Sequence, residues 1–356
     1  MGDTKFSLVV VGYGGMGSYH TNKIIRDNKR IEVTGVYDIK ETRLEVARED
    51  GFNVYKSLEE VLCDETVDAI LIATPNDSHK EIAILALEAG KHVVCEKPVT
   101  INSSDFLDII KVAKEQNRIF MVHQNRRWDE DFFIIRELIE NKKIGDIFHL
   151  ESRVQGANGI PGDWRHLKVH GGGMLLDWGV HLLDQLLFMN KSKIKSVIAN
   201  LSFILGDEVD DGFTSYITFE DGSTALVEVG TSNYVKLPRW YVKGTSGTAL
   251  IKDWDLSGEI ITPNEDGVKT EQKPIQAGQG LTKTMAPPSE EATLKYSIEK
   301  VQCNIEGFYD NFVSVIEGKA EPIVKNEEVY RVLILIEAIF KSAVTGTVIS
   351  GFDIIK

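Results

Sequence analysis

The feature that most constrains the fold is a glycine pattern near the start of the chain. Gly12, Gly14 and Gly17 form the spacing G-x-G-x-x-G between a β-branched run at 6–11 and a helical stretch. In that setting the first glycine permits a tight turn, the second lets a pyrophosphate approach the backbone, and the third lets the helix pack on the strand. The N-terminus of the helix then offers N–H groups to phosphates. The pattern therefore predicts a dinucleotide-binding turn, with cofactor contacts expected from Gly12, Tyr13, Gly14, Gly15, Met16 and Gly17.

An acidic residue follows at the distance that such a turn requires. Asp38 ends the next predicted strand, 31–37, and lies 21 residues after Gly17. A carboxylate at this point hydrogen-bonds the ribose in the adenosine half of a dinucleotide. Because it would repel a 2′-phosphate, we predict NAD rather than NADP, although Lys40 and Arg43 are close enough to soften that preference.

The first half of the chain alternates strand and helix. Apolar strands are predicted at 6–11, 31–37, 69–73, 92–95 and 119–123, with helical segments between them. This alternation is typical of parallel βαβ units, and it predicts an α/β domain with a doubly wound parallel sheet over residues 1–124. Ligands of such sheets bind beyond the carboxyl ends of the strands.

The second half has a different character. Closely spaced strands with short turns are predicted between about 194 and 252, and helical patterns lie near 130–142, 174–189, 297–317 and 326–344. This combination predicts an α+β domain over 125–356 with an antiparallel sheet. The polar segment 262–296 contains four prolines, and we expect it to be a long surface loop.

Composition excludes several classes of protein. The 356 residues include 40 basic and 54 acidic side chains, which gives a formal net charge of −14. The chain thus lacks the basic footprint of proteins that bind nucleic acid or an anionic membrane. The sequence contains no run of 18 apolar residues, the length that could span a bilayer, and the apolar run at 6–11 is too short for a signal peptide. Three widely spaced cysteines form neither a disulfide framework nor a zinc-finger pattern, so we expect a cytoplasmic protein.

A lysine follows the fourth predicted strand, on the ligand side of the sheet. In Glu96-Lys97-Pro98 the proline ends the strand because it has a fixed φ and no N–H. Lys97 could donate a hydrogen bond to a substrate hydroxyl or lower the pKa of a neighbouring acid–base group. An ordinary exposed lysine is the alternative that this residue alone leaves open.

A largely apolar helical pattern at 174–189 follows three glycines and carries an acid and a histidine. Asp177 and His181 are four residues apart, so an α-helix would place both on one face. Burying such groups costs free energy unless they are paired, and histidine is the usual general base near neutral pH. A core histidine bonded to Asp177 is one alternative. A metal site is another, but with few candidate ligands and no HExxH spacing we predict no metal.

Four sequence elements together resemble the Gfo/Idh/MocA family of oxidoreductases, and the resemblance covers nearly the whole chain. They are GYGGMG at 12–17, ATPNDSH at 73–79, CEKP at 95–98 and GGGMLLDWGVHLLD at 171–184. The resemblance implies an N-terminal Rossmann domain and a C-terminal α/β domain with a large, mostly antiparallel open sheet. That sheet commonly forms oligomer interfaces in the family, which implies a homodimer or homotetramer.

The resemblance also assigns roles to matching positions. It implies catalytic roles for Lys97, Asp177 and His181. Beyond the glycine turn and Asp38, it implies cofactor contacts from Thr74, Asn76, His79, Glu96, Lys97, Asn125, Trp164 and Arg165. Substrate contacts are expected from Lys97, Arg127, Trp164, His166, Asp177 and His181. A packed loop is the alternative for Trp164 and Arg165.

Three functional hypotheses follow. The first is an NAD-dependent dehydrogenase acting on a ring secondary alcohol of a sugar, a glycoside (for example at C3 of a glucoside) or an inositol. In it His181 accepts the hydroxyl proton, Lys97 stabilises the developing charge on oxygen, and Asp177 orients the substrate or this pair. The second is a catalytically silent, nucleotide-sensing regulatory protein, and the third is a reductase of an unsaturated, non-sugar substrate. The intact set of Lys97, Asp177 and His181 favours the first.

Overall fold

The first part of the chain alternates strand and helix, as the sequence predicts. Residues 5–264, 273–305 and 307–353 are described in the computed structural model. The elements of the first part are β1 (Phe6–Val11), α1 (Gly15–Tyr19), β2 (Ile31–Tyr37), α2 (Glu41–Glu49), α3 (Leu58–Cys63), β3 (Ala69–Ile72), α4 (His79–Glu88), β4 (His92–Cys95), α5 (Ser103–Glu115) and β5 (Phe120–Val122). A π-helical turn, His20–Ile24, continues α1 directly.

These five strands form a parallel sheet in the order β2-β1-β3-β4-β5. The chain moves from β1 to β2 on one side and then crosses to β3 on the other. This crossing creates a switch point between β1 and β3, where ligands of such sheets bind. The four residues of β3 are all buried, as expected for a strand with both faces covered. The predicted doubly wound sheet is confirmed.

The second part combines helices with a larger sheet. Its elements are α6 (Glu130–Glu140), β6 (Ile147–Gln155), a π-helical turn (Leu175–Gly179), α7 (Val180–Met189), β7 (Ile194–Ser202), β8 (Gly212–Phe219), β9 (Thr224–Gly230), β10 (Trp240–Gly244), β11 (Gly247–Ile251), β12 (Gly258–Pro263), β13 (Ile275–Ala277), β14 (Gly280–Thr282), β15 (Thr293–Ser297), α8 (Gly307–Ile316), α9 (Asn326–Thr345) and β16 (Ile349–Ser350).

Nine of these strands form one open sheet in the order β15-β12-β11-β10-β6-β9-β8-β7-β16. Neighbouring strands are antiparallel except β6 and β9, which pair in parallel. Buried side chains of α6, α7 and α9 share a hydrophobic core with the inward-facing residues of the sheet. The mostly antiparallel open sheet predicted for this part is therefore confirmed. Within the described ranges, no helix combines the length and the apolar composition that crossing a bilayer requires.

Two sequence-based expectations about the last third are wrong. The helix expected over 297–317 begins only at Gly307, because Ser297 still belongs to β15 and the described residues 298–305 contain no helix. The segment 262–296 is not simply a loop, because it contains the hairpin β13–β14 and most of β15, which pairs with β12. These strands are exposed, so they lack the apolar alternation that reveals a half-buried strand. Residues 265–272 lie outside the described residues.

The C-terminal helices pack back against the parallel sheet. Phe308, Tyr309 and Phe312 of α8 are fully buried in the same hydrophobic core as β1, β3 and β4. The core of the first sheet therefore contains residues from near the end of the chain. The division into domains 1–124 and 125–356 stays a prediction.

Candidate active site

The glycine turn after β1 leaves open space in front of its backbone. A Cβ built on Gly14 or Gly15 would meet nothing within 4 Å. In contrast, a Cβ on Gly12 would lie 2.7 Å from the carbonyl oxygen of Ala73, and one on Gly17 would lie 2.0 Å from that of Gly12. The outer glycines are therefore required by close packing, whereas the middle of the turn has room for a phosphate to reach the backbone.

Asp38, at the end of β2, is tied to this turn. Its carboxylate accepts hydrogen bonds from the backbone N–H groups of Tyr13 at 2.7 Å and Lys40 at 2.8 Å. Carboxylate oxygens accept more than one hydrogen bond each, so Asp38 can still receive ribose hydroxyls. The Tyr13 side chain is 1% exposed, and its hydroxyl donates to Asp50 at 2.6 Å. Because its N–H is also bound to Asp38, Tyr13 can offer a cofactor only its backbone carbonyl oxygen.

A buried histidine fastens the loops after β3 and β4 to each other. The imidazole of His79 lies 2.9 Å from the carbonyl oxygen of Thr74 and 3.1 Å from that of Pro98. The side-chain amide of Asn76 donates to the carbonyl oxygen of Gly171 at 3.0 Å. His79 and Asn76 thus hold in place the loops that border the cleft at the carboxyl ends of the parallel strands. The side chain of Thr74, including its hydroxyl, is only partly buried.

Lys97 faces the π-helical turn at 175–179. Its ammonium nitrogen donates to the backbone carbonyl oxygen of Asp177 at 3.2 Å and lies 3.5 Å from the carboxylate oxygen Oδ1. On the other side, Nε of Arg165 lies 3.3 Å from the same Oδ1. The Arg165 guanidinium also stacks over the ring of Trp164, 4.7 Å from its centroid. The structure therefore brings Lys97, Asp177, Trp164 and Arg165 together, with the acid between two cations.

The glycines before this turn are required by close packing. A Cβ on Gly172 would lie 2.3 Å from the carbonyl oxygen of Arg165, and one on Gly173 would lie 2.3 Å from Oδ1 of Asp210. The other oxygen of Asp210 accepts the N–H of Leu175 at 2.8 Å and so caps the turn. Burial raises the pKa of Asp210 to about 6. The turn is π-helical rather than the regular α-helix that the spacing of Asp177 and His181 suggested, and π-helical turns are frequent at functional sites.

His181 is buried next to this turn, in the first turn of α7. Its ring centroid lies 5.8 Å from that of Trp178. Among the described residues its Nδ1 has no hydrogen-bond partner, so the alternative of a core histidine bonded to Asp177 does not match the contacts. Burial, helped by the charges of Lys97 and Arg126, lowers the pKa of His181 well below its ordinary value. The imidazole is therefore neutral at pH 7 and can accept a proton.

Two residues predicted to contact substrate are engaged elsewhere. The buried guanidinium of Arg127 donates to both oxygens of Asp184 at 2.7 Å and to Glu328 at 2.7 Å. His166 lies 2.9 Å from a carboxylate oxygen of Asp207 through Nδ1 and 3.1 Å from the carbonyl oxygen of Ile160 through Nε2. Both residues fasten loops in this arrangement, and their substrate roles stay predictions.

Comparison with known proteins decides the family. Residues 6–124 match the family described as "Oxidoreductase family, NAD-binding Rossmann fold", and residues 132–250 match the "GFO/IDH/MocA C-terminal domain". The chain belongs to the Gfo/Idh/MocA family of oxidoreductases. It is also 64% identical to an NAD-binding protein from Listeria innocua of known crystal structure, with 98% of this chain and 99% of that chain covered and a TM-score of 0.93. The family and the Rossmann domain predicted from sequence are both confirmed.

Two relatives from Bacillus subtilis differ in their cofactor. The chain is 31% identical to a scyllo-inositol 2-dehydrogenase (NAD(+)), over 68% of this chain and 72% of that protein. It is 27% identical to a scyllo-inositol 2-dehydrogenase (NADP(+)), over 94% of this chain and 92% of that protein. The protein is an NAD-binding oxidoreductase of the Gfo/Idh/MocA family. Membership of the family does not show whether NAD or NADP is preferred, because its relatives include enzymes of both kinds.

The residues present fit a dinucleotide. The open backbone at Gly14 and Gly15 suits a pyrophosphate, and Asp38 lies on the side where the adenosine ribose binds. At the other end of the cleft, the side-chain oxygen of Asn125 is buried with no hydrogen-bond partner among the described residues. That oxygen can accept a hydrogen bond from a bound group.

Sequence reasoning missed an aromatic and cationic wall beside His181. The guanidinium of Arg126 lies 4.7 Å from the ring centroid of Trp178 and 5.5 Å from that of Trp254. The guanidinium of Arg239 lies 4.9 Å from the same Trp254 centroid. Trp254, in the turn between β11 and β12, is 43% exposed. No local pattern marks Trp254, because only the folding of the large sheet brings this turn to the helix that carries His181.

Proposed function

We propose that this protein is an NAD-dependent dehydrogenase that oxidises a ring secondary alcohol of a sugar, a glycoside or an inositol. The observation that carries the proposal is the contact of Lys97, which follows β4, with Asp177, near a buried His181 whose pKa is lowered by burial and by the charge of Lys97. Oxidation of an alcohol requires an acceptor for the hydroxyl proton and a donor that stabilises charge on the oxygen. His181 and Lys97 supply these two groups.

His181, Lys97 and Asp177 have different roles in the proposed oxidation. NAD supplies the hydride acceptor when it is bound. His181 accepts the proton of the substrate hydroxyl, because its lowered pKa leaves the imidazole free at neutral pH. Lys97 donates a hydrogen bond to the same oxygen, and Asp177 holds the ammonium group in place. Loss of the hydroxyl proton to His181 and of a hydride from the same carbon to the nicotinamide would convert the alcohol to a ketone.

The walls of the cleft support a ring-shaped, hydroxyl-rich substrate. Trp254 and Trp178 offer aromatic faces beside His181, their ring centroids lying 6.2 Å apart. Aromatic surfaces combined with a few polar groups are typical of small-molecule sites. The inositol dehydrogenases among the relatives further support a cyclic polyol, and C3 of a glucoside is chemically the same kind of alcohol.

A cofactor and substrate screen tests the proposal. Purified protein is mixed with NAD or NADP and a panel of inositols, free sugars and glycosides, and the absorbance of reduced nicotinamide is followed in both directions. A signal with NAD and one substrate class supports the dehydrogenase. A flat panel with protein that binds NAD points to a silent nucleotide sensor. Activity confined to unsaturated, non-sugar compounds points to a reductase of such substrates.

The preference for NAD over NADP is part of the proposal, and Asp38 supports it. Its carboxylate is held at the glycine turn, where a 2′-phosphate would meet negative charge.

A cytoplasmic location is also proposed, because Cys63, Cys95 and Cys303 are all free thiols, which suits a reducing compartment. Fractionation of the producing cell, with the protein recovered outside the cytoplasmic fraction, would contradict that location.

We further propose that the protein forms a homodimer or homotetramer through the outer face of the nine-stranded sheet. Ile198, Tyr216 and Leu226 are directly opposite one another on β7, β8 and β9 and form an apolar row on that face. Ile198 and Tyr216 are 43% and 42% exposed, so a second copy could cover them. Light scattering that gives the mass of a monomer at micromolar concentration would contradict this assembly.

A further inference from the structure

Four buried groups below the cleft form a continuous hydrogen-bonded cluster. The hydroxyl of Tyr309 lies 2.7 Å from Nδ1 of His20, and Nε2 of His20 lies 2.7 Å from Oε1 of Glu96. The same carboxylate oxygen lies 2.8 Å from Nδ1 of His123. The second oxygen of Glu96 accepts the backbone N–H of Lys97 at 3.1 Å. None of the four side chains is appreciably exposed, so the contacts are protected from water.

The pattern of donors and acceptors fixes where the protons lie. Burial raises the pKa of Tyr309, so its hydroxyl keeps its proton and donates to Nδ1 of His20. Burial, together with the charge of His123, lowers the pKa of His20 to about 4, so its single proton is on Nε2 and points to Glu96. Burial alone would raise the pKa of Glu96, but charge interactions and hydrogen bonds with His123 and His20 outweigh it and hold that pKa well below the usual range.

The remaining imidazole adds a donor to the same carboxylate. Nε2 of His123 is buried without a partner among the described residues. Nδ1 of His123 lies 2.8 Å from Oε1 of Glu96, so this nitrogen donates to the carboxylate. Glu96, whose pKa is held well below the usual range, is the acidic group of the cluster and carries a negative charge. His20, Glu96 and His123 have atoms within 4.8 Å of one another that could bind a metal, and the two imidazoles already form ordinary hydrogen bonds with the carboxylate.

The sheet determines which end of a dinucleotide meets this charge. Asp38 follows β2, so the adenosine half lies on that side and the dinucleotide crosses the switch point between β1 and β3. Its other half then lies over the ends of β3, β4 and β5. Glu96 directly follows β4 and His123 directly follows β5. Glu96 also contributes to the electrostatics of His181, whose pKa its charge raises.

We propose that this cluster makes the protein discriminate between the two oxidation states of nicotinamide, favouring the oxidised form. The inference rests on the proposed NAD-dependent function. The nicotinamide ring carries a positive charge when oxidised and none when reduced, so a nearby buried carboxylate stabilises only the oxidised form. Glu96 provides the charge, and His20, His123 and Tyr309 are positioning residues that keep it ionised and fixed.

Binding measurements test the inference without turnover. The dissociation constants of NAD⁺ and NADH are measured by calorimetry for the wild-type protein and for Glu96→Gln, Tyr309→Phe and Asp38→Asn. Loss of one charge interaction in a partly buried site should lower the ratio Kd(NADH)/Kd(NAD⁺) about tenfold in Glu96→Gln. Asp38→Asn is the matched control, because it removes a carboxylate next to the half that both forms share. It should change both constants by the same factor and leave the ratio unaltered.

The Tyr309→Phe variant keeps the test decisive if Glu96→Gln fails to fold in a thermal melt. It removes one hydrogen bond that fixes the His20 tautomer, so the ratio should fall by about two- to threefold. If a folded Glu96→Gln or Tyr309→Phe variant binds both NAD⁺ and NADH with the wild-type ratio of dissociation constants, this inference is overturned. The proposed function would not be affected by that result. A wild-type protein that binds neither form overturns the proposed function and this inference with it.

Discussion

The ammonium nitrogen of Lys97 lies 3.2 Å from the backbone carbonyl oxygen of Asp177, and this contact joins the end of β4 to the π-helical turn of the second part. An ammonium group has three N–H donors. The carbonyl and carboxylate of Asp177 occupy one side of it, which leaves donor capacity for a substrate oxygen. The contact therefore orients Lys97 towards the cleft that also contains His181.

Replacing this lysine should abolish chemistry while sparing the cofactor. In Lys97→Met the turnover number should fall by about 10²- to 10⁴-fold, because a positioned donor to the reacting oxygen is lost, while NAD still binds. Stopped-assay rates and NAD titration measure the two effects. Lys80→Met is the control, since the ammonium of Lys80 pairs with Asp105 and Asp108 away from the cleft. A Lys97→Met rate close to that of the control would remove Lys97 from the mechanism.

The pH dependence of the reaction should report a histidine with a depressed pKa. Because burial lowers the pKa of His181 well below 6.5, the base stays unprotonated as the pH falls from 8 through 6.5. We therefore expect kcat/KM for alcohol oxidation to lose activity only below about pH 6.5, and His181→Ala to lose most turnover at every pH. Initial rates between pH 5 and 9 provide the test. An acid limb centred above 6.5 that persists in His181→Ala would assign the base to another group.

Cofactor choice should depend on Asp38. Asp38→Ala should weaken NAD more than NADP, because it removes the acceptor for the ribose hydroxyls and the charge that repels a 2′-phosphate. The same carboxylate also receives the N–H groups of Tyr13 and Lys40, so both affinities should fall to some extent. The informative quantity is the ratio of the two dissociation constants. If that ratio matches the wild-type ratio, the carboxylate does not select the cofactor.

Structural features that depend on short stretches of sequence are predicted correctly. The five parallel strands, the glycine turn and the position of Asp38 follow from short patterns, and the structure has β2 at Ile31–Tyr37, as predicted. The π-helical turn could not be predicted, because the spacing of Asp177 and His181 fits an α-helix equally well. Contacts between residues that are far apart in the sequence could not be predicted either. Tyr309 lies 289 residues from His20 in the sequence, and Trp254 approaches Trp178 and Arg126 only through the folding of the large sheet.

The buried ion pair of Arg127 should matter for stability. Arg127→Met leaves Asp184 as an uncompensated buried charge and weakens the link to Glu328, so we expect the free energy of unfolding to fall by about 3–5 kcal/mol. The exposed pair between Arg48 and Glu41 is the control, and Arg48→Met should cost less than about 1 kcal/mol. Urea unfolding measures both. A variant with wild-type stability but a raised KM would instead support the substrate contact predicted from the sequence.

Trp254 should contribute to substrate binding and not to cofactor binding. The side chain is 43% exposed beside the Arg126 and Trp178 stack, so a sugar or cyclitol ring can pack on its face. Trp254→Leu removes an aromatic contact worth about 1 kcal/mol, and KM for the substrate should rise roughly fivefold with little change in kcat or in the affinity for NAD. Tyr234→Leu is the control, because this aromatic residue is 92% exposed in the turn between β9 and β10. Since the hydride and proton transfers involve other residues, a fall in kcat at unchanged KM would mean that Trp254 supports the catalytic geometry rather than the substrate ring.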